Sequence, residues 1–114
     1  MPVLKIQTNV EIPDTEKKTL LHDASAKVAA ILGKPERYVM VLLEPNPHML
    51  FAADNSPLAY LELKSIGLPS DKTSMLSEAL SNLIDQHLSI PSDRVYIEFA
   101  NAQRHMWGWS GGTF

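Results

Sequence analysis

Apolar positions along this chain follow two rhythms in turn, one short and strand-like, the other near the helical period. Val3 to Gln7 is rich in apolar and β-branched residues and reads as a strand. Pro13-Asp14 then opens a segment in which Leu20, Leu21, Ala24, Val28, Ile31 and Leu32 recur at helical spacing. Gly33 stops that helix and Pro35 confirms the stop. Tyr38 to Glu44 follows, apolar on both faces, which predicts a strand buried in a covered sheet.

The second half repeats this order. Leu58 to Ile66 is strand-like, Ser70-Asp71 marks a helix start, and Met75, Leu76, Ala79, Leu80, Leu83 and Ile84 supply an apolar stripe. Pro91 ends the connection and Arg94 to Phe99 is a further strand. Leu32-x-x-Pro35-x-x-Tyr38-Val39 matches Leu88-x-x-Pro91-x-x-Arg94-Val95 at a shift of 56 residues, about half the chain. Residues 1–114 therefore read as one domain with two similar halves, about 1–56 and 57–114. Right-handed crossovers would put both helices on one face of a four-stranded sheet. The expected class is α+β, a two-layer sandwich whose open face needs cover, most simply from another subunit. The aromatic tail Met106 to Phe114 is expected to dock, within the chain or across an interface, and Gly111-Gly112 to form a turn or a flexible tail.

Composition narrows the function. A net charge of -3 with scattered Lys and Arg argues against nucleic acid and anionic membrane as partners. No cysteine is present, which excludes disulfides, thiolate metal sites and thiol nucleophiles. His22, His48, His87 and His105 show no metal-ligand spacing, and no metal or cofactor is expected. Apolar runs are too short to cross a membrane, and Lys5, Gln7, Asn9 and Glu11 interrupt any signal-peptide core. The expected location is the cytoplasm.

The position with most chemistry is Pro2. Met-Pro favours methionine removal, which would leave a secondary amine on a rigid ring at the start of a strand. Free α-amino groups titrate near ~8, and an apolar wall lowers that value toward the range of a useful general base.

Met1-Pro2, Gly33-Lys34-Pro35, Ser65-Ile66-Gly67, Asp93-Arg94-Val95-Tyr96-Ile97, and Gly108-Trp109 with Thr113-Phe114 stand in an order and spacing that resembles the macrophage migration inhibitory factor and D-dopachrome tautomerase family. The resemblance covers the whole chain. It implies a homotrimer of β-α-β-β-α-β subunits with active sites at subunit interfaces. It implies keto-enol tautomerisation of phenylpyruvate- or dopachrome-type substrates, with Pro2 as the base. By the same resemblance Lys34 meets the substrate's carboxylate, the Ile66 amide donates to the same oxygens, and Tyr96, Trp109 and Phe114 form an aromatic wall. Tyr38 and Val3 line it too. Glu98 falls where mammalian members use asparagine for the substrate's polar end, so a carboxylate there would repel anions. Trp107 is bulkier than the usual aliphatic residue, and Pro57-Leu58-Ala59-Tyr60 replaces the vertebrate Cys-x-x-Cys.

Two other readings stay open. One is a cytokine-like binding protein, secreted without a signal peptide and recognised by a cell-surface receptor, with weak tautomerase activity. The other is hydration, dehalogenation or decarboxylation on the same scaffold, which would enlist arginines; Arg37, Arg94 and Arg104 fall on no obvious site landmark.

Overall fold

The computed structural model describes residues 1–114. In chain order it contains β1 (Val3–Thr8), α1 (Asp14–Leu32), β2 (Met40–Pro45), β3 (Ala59–Ile66), α2 (Thr73–Leu88), β4 (Val95–Ala102) and a short hairpin of β5 (Gly108–Trp109) and β6 (Gly112–Thr113). The main sheet has the order β2-β1-β3-β4. β1 runs parallel to β2 and β3 parallel to β4, while β1 and β3 meet antiparallel at the centre. Two helices pack on this four-stranded mixed sheet.

Alternation along the central strands decides which face the helices cover. Leu4, Ile6 and Thr8 of β1 and Ala59, Leu61 and Leu63 of β3 are buried, and they join Leu20, Ala24, Val28 and Leu32 of α1 and Leu76, Leu80, Ile84 and Leu88 of α2 in one core. Both helices present their i, i+4 rows to it. The one buried hydroxyl of β1, Thr8, donates to the carbonyl of Leu58 at 2.8 Å, which satisfies it.

Each helix ends on a left-handed residue, Gly33 (φ 64°) and Ser89 (φ 55°). Their amides bond the carbonyls of Ala29 and Asp85, positions related by the same shift that relates the two halves. Pro35 and Pro91 each then open a single 3-10 turn, closed by Tyr38 N to Pro35 O at 3.1 Å and Arg94 N to Pro91 O at 2.9 Å.

Several expectations change in detail. Tyr38 lies in the 3-10 turn Glu36–Tyr38, so β2 starts at Met40 rather than Tyr38. β2 is also not covered on both faces: it is an edge strand, with Met40 56% and Leu42 39% exposed on the face away from the helices. Met75 is 56% exposed rather than part of the α2 stripe. Ser70 and Asp71 form a 3-10 turn ahead of α2, which begins at Thr73. The tail does dock within the chain, but its turn is Ser110-Gly111, both at positive φ (52° and 80°), and Gly112 belongs to β6.

Candidate active site

The strand register gathers one end of the molecule around Pro2. Its carbonyl accepts from Met40 N at 3.0 Å, which joins the start of β1 to the start of β2. Its ring is fully buried, between Met1 and Val3. Beside it opens a cavity of about 220 Å3, lined by Met1, Val3, Arg37, Tyr38, Val39, Met40, Trp107, Gly108, Trp109 and Phe114. Val3, Tyr38, Trp109 and Phe114, expected as wall residues, are thus brought together.

The tail hairpin supplies the aromatic part of that wall. The Trp109 and Phe114 rings stack at 5.4 Å with 15° between planes, and Tyr38 meets them edge-on at 5.6 Å and 6.2 Å. Phe114 N donates to Trp107 O at 3.2 Å, which holds the last residue in place. Trp107 itself also lines the cavity.

Cations gather on the same end. Lys34 leaves the C-terminal cap of α1 and donates from Nζ to the carbonyl of Ile66 at 3.3 Å. Ile66 closes β3 and is 8% exposed. Ala102 pairs with Ile66, and Arg104 follows two residues later in a 3-10 turn. Burial, followed by the charges of Lys34 and Arg104, holds the Met1 amine below the ordinary α-amino range. Arg37 lines the cavity with its guanidinium 4.8 Å over the Tyr38 ring. Arg37 and Arg104 therefore belong to this region although no motif marked them; only their neighbours Tyr38 and Trp107 pointed there.

Tyr96 and Glu98 are not part of this cluster. Tyr96 pairs with Tyr60, which pairs with Gln7, so Tyr96 stands five residues along the sheet from the level of Pro2. At ~3.3 Å per residue that is about 16 Å, with two strand spacings to cross as well. Glu98 faces the open side of the sheet opposite Glu62. Lys5 and Lys64 each reach Glu62 at 3.7 Å, whereas Glu98 is exposed and carries no ion pair.

A larger shallow groove of about 720 Å3 runs between α2 and β4. Its lining is mostly Ser, Thr and Asn with Glu78, and it contains no cation. No three His, Asp or Glu side chains come together as a metal-binding group, and no helix is long and apolar enough to cross a membrane.

The profile of the macrophage migration inhibitory factor (MIF) family matches residues 1–114. The chain belongs to the macrophage migration inhibitory factor family. It is 34% identical to macrophage migration inhibitory factor of Xenopus laevis over 115 residues, covering 100% of this chain and 99% of that one. It is 36% identical to the Brugia malayi homolog, with the same coverage. In three dimensions it resembles the crystal structure of the homologue from Prochlorococcus marinus, with a TM-score of 0.93, 41% identity and 98% of each chain covered. The resemblance read from scattered motifs thus extends to the whole fold of the MIF family.

Proposed function

We propose that this MIF-family chain is a cofactor-independent keto-enol tautomerase of phenylpyruvate-like 2-keto acids, with the Pro2 nitrogen as general base. The observation that carries the reading is the setting of Pro2: a buried ring beside an aromatic cavity, next to two cations. In the chain as described the Pro2 nitrogen is the amide joining it to Met1. Met1 also lines the cavity, so its removal would uncover the nitrogen and open the cavity onto it.

A secondary amine there inherits the surroundings that lower the Met1 amine's pKa. In its unprotonated form it would take a proton from the carbon beside the keto group. The C–H electrons become the carbon–carbon double bond of the enolate, and the keto oxygen takes the negative charge. Lys34 and the Ile66 amide would face the substrate's carboxylate and that oxygen, and positive charge placed before the reaction lowers its barrier. Return of the proton from the Pro2 ammonium to carbon or oxygen completes either direction. Tyr38, Val3, Trp109 and Phe114 take the ring.

Tyr96 and Glu98 fit this scheme only if another copy supplies them, as in a homotrimer with shared sites. The bare sheet face and its exposed Met40, Leu42 and Tyr96 support such an assembly. Glu98 would then favour a ring end that donates a hydrogen bond and disfavour one that is anionic.

The test is phenylpyruvate turnover by protein whose N-terminus mass spectrometry identifies as Pro2, compared with Pro2→Gly and with a Met1-retaining form. Activity confined to the first supports the proline base; equal activity in all three sinks it. The names of the relatives, macrophage migration inhibitory factors, favour a second reading, a binding protein acting on cells. Cell-surface binding that survives Pro2→Gly would separate the two.

A further inference from the structure

A strained turn lies between β2 and β3. Phe51 and Asp54 exchange both backbone hydrogen bonds at 3.0 Å, and the two residues between them, Ala52 and Ala53, have φ of 54° and 58°. Two successive positive φ values mark a type I′ turn, which Asn-Gly adopts readily and alanine does not, because its Cβ crowds the left-handed backbone. The turn therefore needs an outside restraint, and Arg94 provides one. Its Nη1 donates to Phe51 O at 3.0 Å and its Nη2 to Asp54 O and Ser56 O, both at 2.9 Å. Its Nε donates to Pro57 O at 3.2 Å. One guanidinium thus gathers four carbonyls of a single loop, with its carbon 5.4 Å over the Phe51 ring.

What this clamp holds in place is an aromatic pair. The Phe51 ring lies 4.6 Å from that of Tyr96, tilted by 49°. Tyr96 follows Arg94 by two residues and is 64% exposed, so Phe51 is the ring support it has within the chain.

We propose that Arg94 is a positioning residue for Tyr96: by holding the strained Phe51–Asp54 turn it seats Phe51 against the Tyr96 ring and fixes how that ring meets the aromatic part of a substrate. The assignment rests on the proposed function in taking Tyr96 as a substrate-binding residue. Arg94 touches no substrate; it acts through the turn.

Binding of unreactive acids separates this proposal from the tautomerase reading. Cinnamate carries a carboxylate and a ring, crotonate the carboxylate without the ring, and neither has a keto group to enolise. Calorimetry on protein beginning at Pro2 gives their affinity ratio, in which any loss of folded protein cancels. Loss of an aromatic contact corresponds to a fall of about fivefold in the ratio for Arg94→Ala. Arg94→Lys, which keeps the charge but not the fork, should recover only part of it. Adding Ala52→Asn and Ala53→Gly to Arg94→Ala supplies a turn that needs no clamp and should restore the ratio. Hydrogen exchange across Phe51 to Pro57 should rise in Arg94→Ala and fall back in the triple variant. An unchanged ratio in Arg94→Ala or Arg94→Lys overturns the proposal. So does a triple variant whose turn is protected again while the ratio stays low. The same fall and recovery of the ratio across these variants, in a protein that never turns over phenylpyruvate, would sink the tautomerase reading and leave this one standing.

Discussion

Lys34 Nζ rests 3.3 Å from the carbonyl oxygen of Ile66, and this contact ties the residue after the α1 cap to the last residue of β3. It places a cation with no carboxylate partner beside the N-terminus, with two further N–H donors free for a ligand. Lys34→Ala should lower kcat/KM for phenylpyruvate by about 10- to 100-fold, the loss typical of one charge-assisted contact or more. Lys34→Arg should restore part of it. Steady-state kinetics on both variants measures this.

The same charge should appear in the pH dependence. A nearby cation disfavours the protonated amine, so it lowers the pKa and brings the active, unprotonated base to lower pH. Removing the cation reverses that shift. In Lys34→Ala and in Arg104→Ala the rising limb of kcat/KM should move to higher pH, as pH–rate profiles will show. At the Met1 amine burial is the larger cause of the lowering; if the Pro2 amine keeps that apolar setting, the limb should still begin below ~8, the ordinary α-amino value.

If Pro2 and Tyr96 meet only between copies, subunits with different defects should complement each other. Pro2→Gly and Tyr96→Ala homo-oligomers should both be impaired. Mixing them under conditions that exchange subunits creates some sites with an intact Pro2 and an intact Tyr96. Turnover above the sum of the two separate preparations is the expected result. A strictly additive mixture would place both residues in one chain's site, against the 16 Å separation estimated from ~3.3 Å per residue.

Glu98 should show itself in the choice of ring substituent. The unmodified chain should prefer a para-hydroxyl over a para-carboxylate on phenylpyruvate, since a carboxylate accepts from the first and repels the second. Glu98→Asn should narrow that preference several-fold, measured as the ratio of kcat/KM values. An unchanged ratio would leave Glu98 pointing into solvent.

Much of the architecture is legible in the sequence because the signals are local. Apolar spacing located both helices, and Gly33, Pro35 and Pro91 located the ends of the connections. What periodicity could not show is the 3-10 turn after each proline. Tyr38 and Arg94 sit among apolar residues that read as strand, yet amide bonds back to the proline carbonyls curl them out of the ladder. Met75 stands one helical turn before Ala79, but sits on the side of α2 away from the sheet. The candidate site divides in the same way. Its tail, Tyr38 and Lys34 converge through local caps and a two-residue turn, whereas the distance from Pro2 to Tyr96 is set by strand register, which no linear motif encodes.

The buried and exposed members of the α2 stripe can be told apart by stability. Leu80→Ala should cost about 2–5 kcal/mol, because Leu80 is fully buried and its loss leaves a cavity. Met75→Ala should fall within about 0.5 kcal/mol of the parent, as exposed substitutions usually do. Chemical denaturation of the two variants gives both values.

The most direct test of the central claim is to titrate the Pro2 nitrogen itself by 15N NMR, in protein whose first residue is proline, and to compare it with the pH–rate profile. The account predicts a Pro2 pKa below ~8 that coincides with the rising limb of kcat/KM for phenylpyruvate. A Pro2 amine that titrates at or above that ordinary value while the rate rises at some other pH would assign the base to a different group.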